Sequence, residues 1–183
     1  DIEENPERGI RNLVELLAQL SSGRFPKDFL TITQQMLSNS ESPYYELTRH
    51  VIKNVDHSLL KNFSLRFGYN SLTYGANKIR EYEKKFGYNV PWTLVFDLRQ
   101  TLTGGFSVND ISNVLQQGEK IGIYCAIFIV DHNQVVLKEL INTLASHNEG
   151  AYFVFADPEM LNNEMADLIF RAGNIAAVLL FPL

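Results

Sequence analysis

Cysteine is nearly missing from this chain: Cys125 is the only one in 183 residues. That excludes an internal disulfide, a multi-cysteine zinc site and an all-cysteine iron–sulfur cluster. Long apolar runs are missing too. None approaches the ~18 residues that a bilayer-spanning helix needs, and no signal-peptide pattern is present, so a cytoplasmic protein is expected. Basic charge is short. Sixteen Lys and Arg against 21 Asp and Glu give a net charge of −5, which weighs against nucleic acid or an anionic membrane as the main partner. Gly104-Gly105 lacks both the spacing of a dinucleotide fingerprint and the lysine of a P-loop, and reads as a turn. No two of His50, His57, His132 and His147 stand at metal-ligand spacing, and no motif marks a serine nucleophile elbow. Cys125 sits inside an apolar run and reads as a buried, inert thiol.

What is present suits a globular protein. Hydrophobic residues make up 45% and charged residues 20%, and a chain of this size buries roughly 70% of its unfolded surface without help from a disulfide or metal. The first ninety residues read as helices. Asn5-Pro6 is an N-cap followed by proline at the first helical position. Ile10, Leu13, Val14, Leu17 and Leu20 then recur at helical spacing towards a stop at Gly23. A second helix is expected from near Pro26, and a third from Ser42-Pro43 with Tyr44, Leu47, Val51 and Ile52 on one face. Asp56 caps a fourth that runs to Gly68. Asn70 or Ser71 opens a fifth ending at Gly87, which contains the i,i+4 pair Glu81 and Lys85. The aromatics Phe63, Phe67, Tyr69, Tyr74, Tyr82, Phe86 and Tyr88 read as packing residues. A helix-turn-helix reading of Pro43 to Gly68 fails on its sparse basic charge.

The period changes in the second half. Short apolar runs at Thr93–Phe96, Ile123–Val130, Ala151–Ala156 and Ile175–Phe181 alternate with amphipathic helical segments. Ser107 to Asp110 forms a capping-box-like start with aspartate in place of glutamate, and Gly122 and Gly173 stand where helices should stop. Buried strands alternating with helices imply parallel pairing through right-handed crossovers. The expected fold is α/β: a helical N-terminal region over 1–88, then a four-stranded parallel βα array over 89–183, partial-TIM-barrel-like, the two forming one compact unit. Four strands cannot close a barrel, which takes about eight. An open sheet edge therefore remains, to be covered by a helix, a second copy or a further segment.

One constellation has chemical promise. Asp97, Asp131-His132 and Asp157 all fall at the C-terminal ends of predicted strands, the face where parallel α/β architectures bind ligands. Carboxylates and an imidazole converging there suit a hard cation or acid–base work. Helix capping is the plainer role for aspartate at such positions, and Asp157 before Pro158 fits it.

The run Asn89-Val90-Pro91-Trp92-Thr93-Leu94-Val95-Phe96-Asp97 resembles the approach to the first barrel strand in one branch of the radical SAM proteins. There an "IPW" segment and an apolar strand ending in aspartate precede the cluster loop. Ser107 to Gly122 is similar to that branch's first barrel helix. Ile123-Tyr124-Cys125-Ala126-Ile127-Phe128 is similar to its second strand, and Ala151 to Phe155 to its third. The resemblance spans roughly Tyr88 to Phe181 and extends faintly to the helices before it. The family's CxxxCxxC loop, which holds a [4Fe–4S] cluster, has no counterpart: Leu98 to Phe106 contains no cysteine and is too short. Where GGEP would bind the SAM amino group, this chain has Val130-Asp131-His132-Asn133. The resemblance thus implies the scaffold without its cofactor, and no family catalytic residue carries over.

The expectation is a cluster-free, radical SAM-like protein with no cofactor. Its role would be a non-catalytic binding or assembly module, taking a protein partner or a second copy through the open sheet edge, with no nucleic acid and no membrane. Two alternatives accompany it: a small-molecule or divalent-metal site built on Asp97, Asp131, His132 and Asp157, or a fragment of a larger enzyme. Anaerobic reconstitution with iron and sulfide should leave no stable [4Fe–4S] absorbance and no SAM cleavage. A stable cluster that cleaves SAM would contradict the loss of the cofactor site.

Overall fold

The computed structural model describes residues 5–20, 24–99, 107–130 and 132–181. The stop expected at Gly23 and the turn at Gly104-Gly105 lie outside them. Two compact units make up the chain, Asp1–Lys61 and Asn62–Leu183.

The first unit contains helices α1 (Pro6–Leu20), α2 (Arg24–Ser38) and α3 (Pro43–Asn54). Asn5 caps α1, its Oδ1 accepting from the Arg8 amide at 3.0 Å. Val14, Leu30, Leu37 and Tyr45 form the small core, with Ile10, Leu17 and Ala18 packed against it. Tyr45 is buried with its hydroxyl donated to the Leu37 carbonyl, so its one polar atom is satisfied. Helix α4 (His57–Ser64) follows a cap at Asp56, whose Oδ1 accepts from the Leu59 amide at 3.0 Å.

In the second unit the glycine and serine at 68–71 do not break the helix. The chain stays helical through a π-helical stretch, Leu65–Gly75, into α5 (Ala76–Phe86). Tertiary bonds hold this stretch where local preference alone would let it end. The Arg66 guanidinium donates to the Asn148 and Gly173 carbonyls, and the Asn70 amide donates to Glu149 O at 2.9 Å. Gly87, at φ +75°, then ends α5.

The sheet follows as β1 (Thr93–Asp97), α6 (Val108–Ile121), β2 (Cys125–Ile129), α7 (Gln134–Ser146), β3 (Ala151–Ala156), α8 (Asn163–Ala172) and β4 (Ile175–Leu179). Strand order is β1-β2-β3-β4, and every pairing is parallel. The α/β reading with a four-stranded parallel sheet is therefore what the chain adopts. The capping box at Ser107 and Asp110 is fully formed. Asp157-Pro158 opens only a short 3-10 turn, Pro158–Met160; α8 starts separately, capped by Asn162.

Ala126, Phe128, Val130, Tyr152, Val154 and Ala156 face one side of the sheet. They share a single core with Ile111 and Leu115 of α6, Leu137, Leu140, Ile141 and Leu144 of α7, and Met165 of α8. Phe96 stacks on Phe128 with ring centroids 4.9 Å apart. By strand alternation and register, Val95, Ile127 and Phe153 line one level of the opposite face, and Asp97, Ile129, Phe155 and Val178 the next. Phe63 and Phe67 reach that face at Phe153, edge-on at 5.5 and 5.4 Å.

The backbones of Gly75 and Gly122 nearly touch. A Cβ on Gly75 would strike the Gly122 carbonyl, and one on Gly122, already at φ +105°, would lie 2.5 Å from Gly75 O. This contact joins the end of α5's lead-in to the loop that starts β2. Gly75→Ala should lower unfolding free energy in urea by more than about 2 kcal/mol. Gly87→Ala has open space around it and should cost only about 1 kcal/mol from its left-handed backbone. Equal costs would contradict the close packing at Gly75.

Candidate functional site

The C-terminal edge of the sheet carries Asp97, His132 and Asp157. Register sets Asp97 beside Ile129 and Phe155, so the segments leaving β2 and β3 deliver His132 and Asp157 to the same end. His132 Nε2 lies 3.0 Å from Asp157 Oδ2. The Asp157 side chain makes no capping bond to the turn that follows; its carboxylate faces the imidazole. Asp97 faces a different partner. Arg99 grips it with both arms, Nε to Oδ1 at 2.8 Å and Nη2 to Oδ2 at 2.6 Å. The Arg99 hydrogen bonds hold the Asp97 carboxyl down at about 2. Asp131 lies outside the described residues.

Of the four sequence-derived candidates, the structure thus brings His132 and Asp157 together and shows Asp97 occupied by a guanidinium. A carboxylate-oriented imidazole can accept or donate a proton to a bound molecule. Among the described residues, no group of three or more His, Cys, Asp and Glu side chains could hold a metal ion. No helix among them is long and apolar enough to cross a membrane.

A second polar cluster, absent from the sequence reading, sits between α6 and α7. Ser112 Oγ lies 2.9 Å from His147 Nε2, and His147 Nδ1 lies 3.0 Å from Glu119 Oε1. Serine, imidazole and carboxylate stand here in the connectivity of a nucleophilic triad. Their setting is different. Ser112 lies within α6, where backbone amides are committed to the helix, so no pair of N–H groups converges beside Oγ to hold an oxyanion. His147 ends α7, and its carbonyl accepts from the buried Asn174 amide at 3.1 Å, as does that of Leu144 at 2.9 Å. The cluster clasps two helices and the loop before β3. Ser112 and Glu119, seven apart, mark one helix face, but the loop that brings His147 to them has no local signal.

Cys125 is buried in β2, opposite Thr93 in the register, and burial pushes its thiol up. Tyr152 is raised as well, by burial and by the Glu119 carboxylate.

Comparison with known protein families, with curated proteins and with solved structures finds no match.

Cys125 and Tyr152 keep their protons in the folded state to a higher pH than in the unfolded chain. Their stabilising contribution is therefore whole below the unfolded values, near 9 and 10, and is lost as pH rises past them. The urea midpoint should fall between pH 8 and about 10.5, and Cys125→Ala should flatten the first part of that fall. A midpoint that rises over this range would show that neither group is held neutral by burial.

Proposed function

We propose that this chain is a cluster-free, radical SAM-like scaffold that works as a binding or assembly module. The observation that carries this proposal is the one-sided cover of the sheet. Helices α6, α7 and α8 share one core with one face. On the other, Val95 is 61% exposed, and Ile127, Ile129, Phe155 and Val178 are only half-buried. Apolar surface arranged over adjoining strands marks an interaction site more often than a solvated face. A protein surface of complementary apolar shape is the partner it suits, and the net charge of −5 weighs against nucleic acid.

We propose as the alternative, from the His132–Asp157 pair at 3.0 Å, a small-molecule or divalent-cation site at the strand ends, with Asp97 at the same end of the sheet and Asp131 next to His132 in the sequence. The Arg99 grip on Asp97 favours the first proposal, because it removes one carboxylate from that set.

Thermal unfolding separates the two. A panel of divalent cations and common metabolites should leave the melting temperature unchanged, with Asp157→Ala and His132→Ala matching the parent. A ligand-dependent rise that either substitution abolishes would favour the site, since binding to the folded state raises the melting temperature by mass action. Ile129→Lys should leave the far-UV spectrum intact and abolish association with itself or with a partner protein in native mass spectrometry. Parent and variant that are both free and indistinguishable in hydrophobic-dye binding would contradict the assembly role.

A further inference from the structure

We infer that the occupant of the open sheet face is a second copy of this chain, the two arrays closing into one eight-stranded parallel barrel. This rests on the assembly reading above and names its partner.

The strand order fixes the available geometry. Among the described residues β1 and β4 are the two edge strands of the sheet, and an edge strand offers a row of ladder groups for pairing. In an all-parallel sheet the outer side of β4 is complementary to the outer side of β1, as β3 is to β4 within the sheet. A two-fold axis along the strands preserves their direction, so β4 of each copy meets β1 of the other in parallel. Both edges of both copies are then consumed and the assembly is closed. A two-fold axis across the strands would pair like with like, antiparallel, and leave an edge bare on each copy. Four and four strands make eight, the number at which a barrel's interior is just filled by side chains.

The faces agree with this arrangement. The three crossover helices lie on one side, which is the outside of a (β/α) barrel. Val95, Ile127, Ile129, Phe153, Phe155 and Val178 lie on the other, where a barrel's interior would be. Phe63 and Phe67 pack edge-on against Phe153, while Val95 is 61% exposed.

The edges carry little of what keeps free strands apart, the one charge being Asp97 at the end of β1. β4 reads Ile-Ala-Ala-Val-Leu and β1 reads Thr-Leu-Val-Phe-Asp, with no lysine and no proline in either. Proteins with solvent-facing edge strands place such residues there to block pairing. Val95, 61% exposed on the uncovered face, would be covered on closure. The half-buried Ile127, Ile129, Phe155 and Val178 would be covered with it.

Sedimentation and light scattering of the full chain should give a mass near twice 20.9 kDa. In a Cys125→Ala background, chains carrying Val95→Cys mixed with chains carrying Val178→Cys should crosslink to each other through a short bismaleimide, in preference to either alone. Val95→Lys, at a position exposed in the single copy, should keep its circular dichroism and raise the dissociation constant on the order of a hundredfold or more, because closure would bury an unpaired ammonium. A dimer with like-to-like crosslinks would overturn the barrel and leave an assembly role standing. A monomer whose dye binding is lost on Val95→Lys would overturn self-association and leave a face for another protein. A monomer that binds no dye would overturn both.

Discussion

Parallel pairing of consecutive strands is the constraint from which the rest of the second unit follows. Each strand must return to the same end before the next begins, so each is joined to the next by a helix, and a common crossover hand puts all of those helices on one side. α6, α7 and α8 bury Phe128, Tyr152 and Val154 there, and the helix caps at Ser107, Asn133 and Asn162 set where each return begins. The same constraint leaves the opposite face to other elements. Phe63, at the end of α4, and Phe67, in the π-helical stretch, supply part of that cover at Phe153.

A second set of polar contacts lies at the opposite end of the sheet from the candidate site. Arg66 and Asn70 bind the carbonyls of 148, 149 and 173, Asn174 binds those of 144 and 147, and the Ser112–His147–Glu119 relay ties α6 to α7. In βα architectures that end carries stability and the C-terminal end carries ligands. Here the N-terminal end ties helices and loops together by hydrogen bonds, and the C-terminal end holds the helix caps, an imidazole–carboxylate pair and an arginine-bound aspartate.

Much of this unit was legible in the residues. Apolar runs of strand length between amphipathic segments require burial on both faces, and that alone yields β1 to β4 and their parallel sense. The Ser107–Asp110 box and the glycines at 87, 122 and 173 have local causes, so they were readable too. The run through 68–71 was not. Glycine and serine there satisfy the rules for a helix stop, and the bonds that override them come from residues some eighty positions away. The pairing of Asp157 with His132 was hidden for a related reason: aspartate before proline predicts a cap, and only the neighbouring strand's exit brings an imidazole within reach. That Phe63 and Phe67 pack on Phe153 was illegible because an aromatic on a helix does not say which surface it will meet.

Closure of two arrays covers the outer ladders of β1 and β4 in solution, and amide hydrogen exchange reads those ladders directly. In concentrated protein the amides of Thr93–Asp97 and Ile175–Leu179 should be protected as well as those of β2 and β3, and should lose that protection on dilution while the inner strands keep theirs. Fast exchange along both edges at every concentration, with or without a partner present, would mean that the sheet ends at its own four strands.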